Sequence, residues 1–175
     1  MRRALRALAL LAALAAPLPA LAEVQGPVQG QVNVRFVAPE RYTDAESRFG
    51  SGPSLRVTLA EMRRLFETLG ARVLAPGQSL DIDVLDIDLA GFDQPGAGVP
   101  FGLRVVNDVT PPRFRLRYVL REGRRTVLSA EEAVSDLNFL TRYARSSSGQ
   151  TFYYERELLR DWFQARIAER RPPRG

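Results

Sequence analysis

Four aspartates, Asp81, Asp83, Asp86 and Asp88, fall within the ten residues Leu80 to Leu89, and Asp93 lies just beyond. A second charged run follows at Arg113, Arg115 and Arg117. Three kinds of chemistry suit such residues. Calcium takes six to eight oxygen ligands, so the acidic run with the Gly-rich stretch after it is a candidate metal site, with Asp86, Asp88 and Asp93 as its ligands. The EF-hand spacing is not met, because the Gly at position 6 and the terminal Glu are missing. Alternate strand residues also stand roughly 6.5–7 Å apart, too far for neighbouring carboxylates to chelate without help from the loop. A glycosidase needs only two carboxyl groups, about 5–5.5 or 6.5–9.5 Å apart, which any acidic strand supplies; this leaves a carboxylate-dependent hydrolase of envelope polysaccharide as a second alternative. The third chemistry is binding. Arginines present planar donors to carboxylate or phosphate groups, and Phe92 and Phe101 in the intervening loop add apolar anchors.

Absences narrow the choice. The chain of 175 residues has no Cys and no His, and all 25 of its basic residues are Arg. Disulfides, thiolate nucleophiles, Ser-His-Asp triads, His-bearing zinc sites and Schiff-base lysines are therefore excluded. Ser146, Ser147 and Ser148 have no base of the usual kind. The reading that asks least of the sequence sets the Asp run beside the Arg run as cross-strand partners, each such pair contributing roughly 0.2–1 kcal/mol. On this basis the chain is expected to be non-enzymatic and to use no cofactor, with calcium as the alternative.

The N-terminus carries an address. Residues 1–22 join Arg2, Arg3 and Arg6 to an apolar run from Leu8 to Ala16, then Pro17, Pro19 and a small-x-small site at Ala20 to Ala22. That is the layout of a secretory signal peptide cleaved near Ala22, and the run is well short of the roughly 20 apolar residues of a membrane span. Without a Cys after the site there is no lipid anchor. The expected location is the periplasm or the exterior, with no transmembrane segment after cleavage. Losing the three leader arginines leaves 22 basic against 20 acidic residues, a net charge of +2, which argues against a nucleic-acid partner. An envelope protein or an anionic ligand is the expected partner, with the oligomeric state open.

Elements must then position the charged runs. Residues 23–31 read as a linker, 32–170 as a single domain and 171–175 as a frayed tail. Val32, Val34 and Phe36 alternate with polar residues as in a strand. Thr58 and Glu61 form a capping-box pattern ahead of Leu59, Met62, Leu65, Phe66 and Leu69 at helical spacing, with Gly70 as the stop. In 80–89 the apolar parity switches after Val84, so keeping all six apolar residues inward requires a β-bulge at Val84-Leu85, which also aligns the four aspartates outward. Leu103 to Val109 predicts a strand broken by Pro111-Pro112. Phe114, Leu116, Tyr118 and Leu120 alternate with arginines, and a turn at Glu122-Gly123 leads into a strand at 126–130. Residues 131–143 are ambiguous. A second helix is expected over 152–169. The order predicts an α+β fold: a mostly antiparallel sheet of four to five strands with two amphipathic helices on one face.

Four segments carry a resemblance: VRFVAPERYTD at 34–44, PGQSLDIDVLDIDLAGFD at 76–93, RVVNDVTPPRFRLRYVL at 104–120 and YYERELLRDWF at 153–163. Together they resemble the exported bacterial family catalogued as domain of unknown function 3016. Asp-Ile-Asp-Leu-Ala-Gly at 86–91 and Pro-Arg-x-x-Leu-x-Tyr at 112–118 are the most specific parts. The resemblance implies an envelope location and no particular activity.

Overall fold

A computed structural model describes residues 30–47, 53–93, 104–142 and 151–173. The leader at 1–22, most of the linker, Phe101 and the Ser146 to Ser148 run lie outside the described residues. Within them, strand β1 (Gln31–Phe36) leads through a 3₁₀ turn to helix α1 (Leu55–Val73), followed by β2 (Gln78–Asp88), β3 (Phe92–Asp93) and β4 (Arg104–Val105). Strands β5 (Arg113–Glu122) and β6 (Arg125–Ser135) form a hairpin, and short helix α2 (Phe139–Arg142) precedes α3 (Tyr153–Trp162), which runs on into a π-helical turn at Phe163–Ala168.

Four strands make one sheet in the order β1-β2-β5-β6, while β3 and β4 pair separately. The fold is α+β. The sheet is mostly antiparallel, as expected, but mixed rather than purely so, because β1 runs parallel to β2. The cause is the crossover: α1 carries the chain back along the sheet, so β2 starts at the same end as β1. Sequential strands joined by a helix favour that arrangement, and the other two pairings are antiparallel.

Helix α1 begins at Ser54, whose hydroxyl accepts from Val57 N–H, one turn before the Thr58 box. Thr58 instead lies buried inside the helix. Gly70 is not a stop either: the helix continues to Val73. A Cβ at Gly70 would collide with Val32 Cγ2, so the residue lets α1 press closely on β1. Met62, Leu65, Phe66 and Leu69 meet Leu158, Leu159, Trp162, Phe163 and Ile167 over the sheet. Phe66 touches Phe114 edge-on with centroids 6.2 Å apart and Phe163 at 6.1 Å, which ties both helices to β5.

In β2 the register jumps between Val84 and Asp86, so Leu85 is the extra residue of a bulge. Leu80, Ile82, Val84, Ile87 and Leu89 are buried, while Leu85 is only half-buried. Strand β6 extends to Ser135, well past the expected end at 130, and Leu103 to Val109 supplies only a two-residue strand. On β6, Leu128, Ala130, Glu132 and Val134 follow the parity of the core, leaving Ser129, Glu131, Ala133 and Ser135 on the other face.

Candidate functional site

The alternation that buries the apolar residues under the helices leaves the opposite sheet face to charged ones. The bulge at Leu85 keeps Asp86 and Asp88 on the side of Asp81 and Asp83. Register then sets Asp83 opposite Arg117, Asp86 opposite Arg115 and Asp88 opposite Arg113. The acidic and basic runs are thus neighbours across the β2-β5 seam.

Most of the hydrogen bonds go elsewhere. Arg35 on β1 grips Asp83 with two bonds, Nε at 2.8 Å and Nη2 at 2.7 Å. Asp81 accepts from Asn33 at 2.8 Å and pairs with Arg121. Arg115 and Arg117 both turn to Glu131 on β6, Nη2 to Oε1 at 2.6 Å and Nη2 to Oε2 at 2.8 Å. Those two guanidinium groups hold the Glu131 carboxyl below its ordinary range. Glu131 has one methylene more than Asp, which lets its carboxylate reach between two arginines on the neighbouring strand. The arginines remain more than half exposed even so. A depression of about 360 Å³ opens on this face between Arg35, Asp81, Asp83, Arg117, Val119 and Arg121.

At the far end of β2 the carboxylates are used differently. Asp86 accepts from the Thr43 N–H and hydroxyl, both at 2.7 Å. Asp44 forms a parallel bridge with Asp88. Burial, and next the neighbouring Asp44, push the Asp88 carboxyl upward, with Arg113 opposing. Asp93 lies 3.6 Å from Arg104, whose guanidinium also donates to Asp44 at 2.5 Å and to the Gly91 carbonyl at 2.6 Å. Asp86 and Asp93 are therefore held by different groups, and among the described residues no three carboxylates converge as a metal would require. Phe92 sits on β3, 38% exposed.

Several residues of the site were not singled out from the sequence. Arg35 and Glu131 belong to it; the outward parity of Arg35 between Val34 and Phe36 was a usable signal. Arg104 and Asp44 gave none, because their contacts span long separations. Glu155 in the first turn of α3 is buried, and its carboxylate accepts from Ala90 N–H at 2.7 Å.

A family model described as a protein of unknown function, DUF3016, matches residues 30–165. The chain belongs to the DUF3016 family. The match covers every element from β1 to α3, so the charged face and the helices behind it lie within the DUF3016 region. No curated protein and no solved structure matches the chain. Among the described residues no helix is long and apolar enough to cross a membrane.

Proposed function

We propose that this DUF3016 protein is exported, loses its leader near Ala22, and acts in the bacterial periplasm or envelope as a non-enzymatic binding or assembly module. The open sheet face is its working surface, and an envelope protein or an anionic ligand is its partner. One observation carries the reading: Arg113, Arg115 and Arg117 stand exposed in a line on a sheet face opposite the helices, beside a depression walled by charged side chains. Arginine keeps its charge at any physiological pH and offers paired donors to carboxylate or phosphate. Cys, His and Lys, which would supply a thiolate nucleophile, an imidazole base or a Schiff-base amine, are missing from the whole chain.

Crosslinking and capture from periplasmic extract tests this. The wild-type chain should retain an envelope component, and Arg113→Glu with Arg115→Glu should lose it. Capture unchanged by that double substitution would remove the arginine line from the mechanism. The hydrolase reading has one observation in its favour, the raised Asp88 carboxyl beside Asp44. It requires turnover of an envelope polysaccharide that Asp88→Asn destroys.

A further inference from the structure

One transverse row of the sheet runs Arg35, Asp83, Arg117, Glu131, in register across all four strands. Its charges alternate: plus, minus, plus, minus. The rows beside it repeat the central motif, Asp86 with Arg115 and Asp88 with Arg113. This pattern reverses sign about the seam between β2 and β5. We infer that the open face binds a second copy of this chain, face to face, about a twofold axis parallel to the strands and midway between β2 and β5. The inference rests on reading that face as a binding surface, and it names the partner.

The geometry follows from the register. Such an axis exchanges left and right across the sheet while leaving position along the strands unchanged. Asp83 then lies over Arg117 of the second copy, and its own Arg117 over the second copy's Asp83. Asp86 meets Arg115 and Asp88 meets Arg113 in the same way. At the rims, Arg35 lies over Glu131 of the second copy. An isologous contact needs a patch complementary to itself, and this row is. A polyanion would meet the aspartates as well as the arginines, with like-charge repulsion over half its contacts. Sheet twist of roughly 20–25° per strand makes the central pairs coincide best, and the long rim arginines bridge the rest.

Size sets the strength. Four strands about 4.8 Å apart and some seven residues long present roughly 450 Å² per copy, about 900 Å² in total. That is below the roughly 1,200–2,000 Å² of stable complexes. The dimer is accordingly weak, reversible and sensitive to salt, since exposed charges are screened beyond about 10 Å at 0.1 M ionic strength.

The test is sedimentation velocity on the full chain, purified as the exporting cell processes it, with circular dichroism to establish that each variant is folded. At about 0.1 mM protein the wild type should sediment as a dimer in ~0.02 M salt and as a monomer in ~0.5 M salt. Asp83→Arg and Arg117→Asp should each be monomeric alone, because each sets like charges against one another across the axis. Mixed in equal amounts they should recover the dimer, since Arg at 83 then faces Asp at 117. Should Asp83→Arg fail to fold, Glu131→Arg mixed with Arg35→Glu reads the same geometry at the rim. A monomeric wild type at low salt, a dimer in either single variant, or a mixture that stays monomeric would each overturn the second copy as occupant. A monomeric wild type that still captures an envelope component would do so while leaving the binding reading intact.

Discussion

Glu132 on β6 and Arg166 in the C-terminal π-turn are joined by a two-pronged contact, Nε to Oε1 at 2.9 Å and Nη2 to Oε2 at 3.0 Å. Both side chains are nearly buried, 7% and 10% exposed. The same carboxylate accepts from the Tyr118 hydroxyl at 2.7 Å and from Trp162 Nε1 at 3.0 Å. One acidic residue on the core side of an edge strand thus collects donors from β5 and the last helix. It latches the end of the chain to the sheet.

Breaking that latch from one side should be costly. Glu132→Ala leaves a guanidinium, a phenol and an indole N–H without their acceptor, and removing one partner of a buried pair typically costs about 3–5 kcal/mol. Replacing both charges, Glu132→Leu with Arg166→Leu, should cost less, because no uncompensated charge remains and only the Tyr118 hydroxyl and the Trp162 N–H lose their acceptor. Urea unfolding of the two variants measures the difference; equal losses would show that the pair is not coupled.

Gly70 offers a second check, on packing. Ala usually stabilises a helix interior over Gly by about 0.5–1 kcal/mol. At this position the new Cβ would meet Val32 Cγ2, and overpacking costs about 1–3 kcal/mol. Gly70→Ala should therefore destabilise the wild type yet stabilise a Val32→Ala background. Thermal melts of the four proteins complete the cycle, and the same sign in both backgrounds would contradict the close approach of α1 to β1.

The pH dependence of stability should carry the mark of Glu155. Burial pushes its carboxyl above the ordinary value of 4.5, against the opposing bond from Ala90 N–H. A raised folded value means that the folded state holds its proton more tightly than the unfolded chain. The resulting contribution is full below pH 4.5 and is lost as pH rises through the raised value. Glu155→Gln keeps a side-chain oxygen for Ala90 and has no charge to bury. It should melt above wild type at pH 7 and approach it near pH 4. Parallel melting curves at every pH would show that this carboxyl does not titrate with folding.

Alternation made much of the fold legible. Phe114, Leu116, Tyr118 and Leu120 against Arg113, Arg115 and Arg117 identify both a strand and its buried face, because side chains on a strand alternate sides. The parity switch at Val84-Leu85 likewise located the bulge, since a half-buried strand cannot change faces without one. Glu131 and Glu132 resisted the same treatment. Adjacent identical residues carry no parity of their own, and only the extension of β6 shows that one belongs to the open face and the other to the buried latch. The Gly70 stop and the Thr58 box misled for a related reason: local signals describe what a residue can do in isolation, and close packing against Val32 used the glycine for something else.

From the residues alone came the apolar and charged faces, the class of fold and the chemistry that missing His, Cys and Lys exclude, because these depend on composition and on repeats of two or 3.6 residues. Tertiary structure decided that β1 runs parallel to β2, that Arg115 and Arg117 share Glu131, and that Arg104 gathers Asp44 and Asp93. Those choices depend on which distant segments become neighbours, and the free energy that selects them is written in no local pattern.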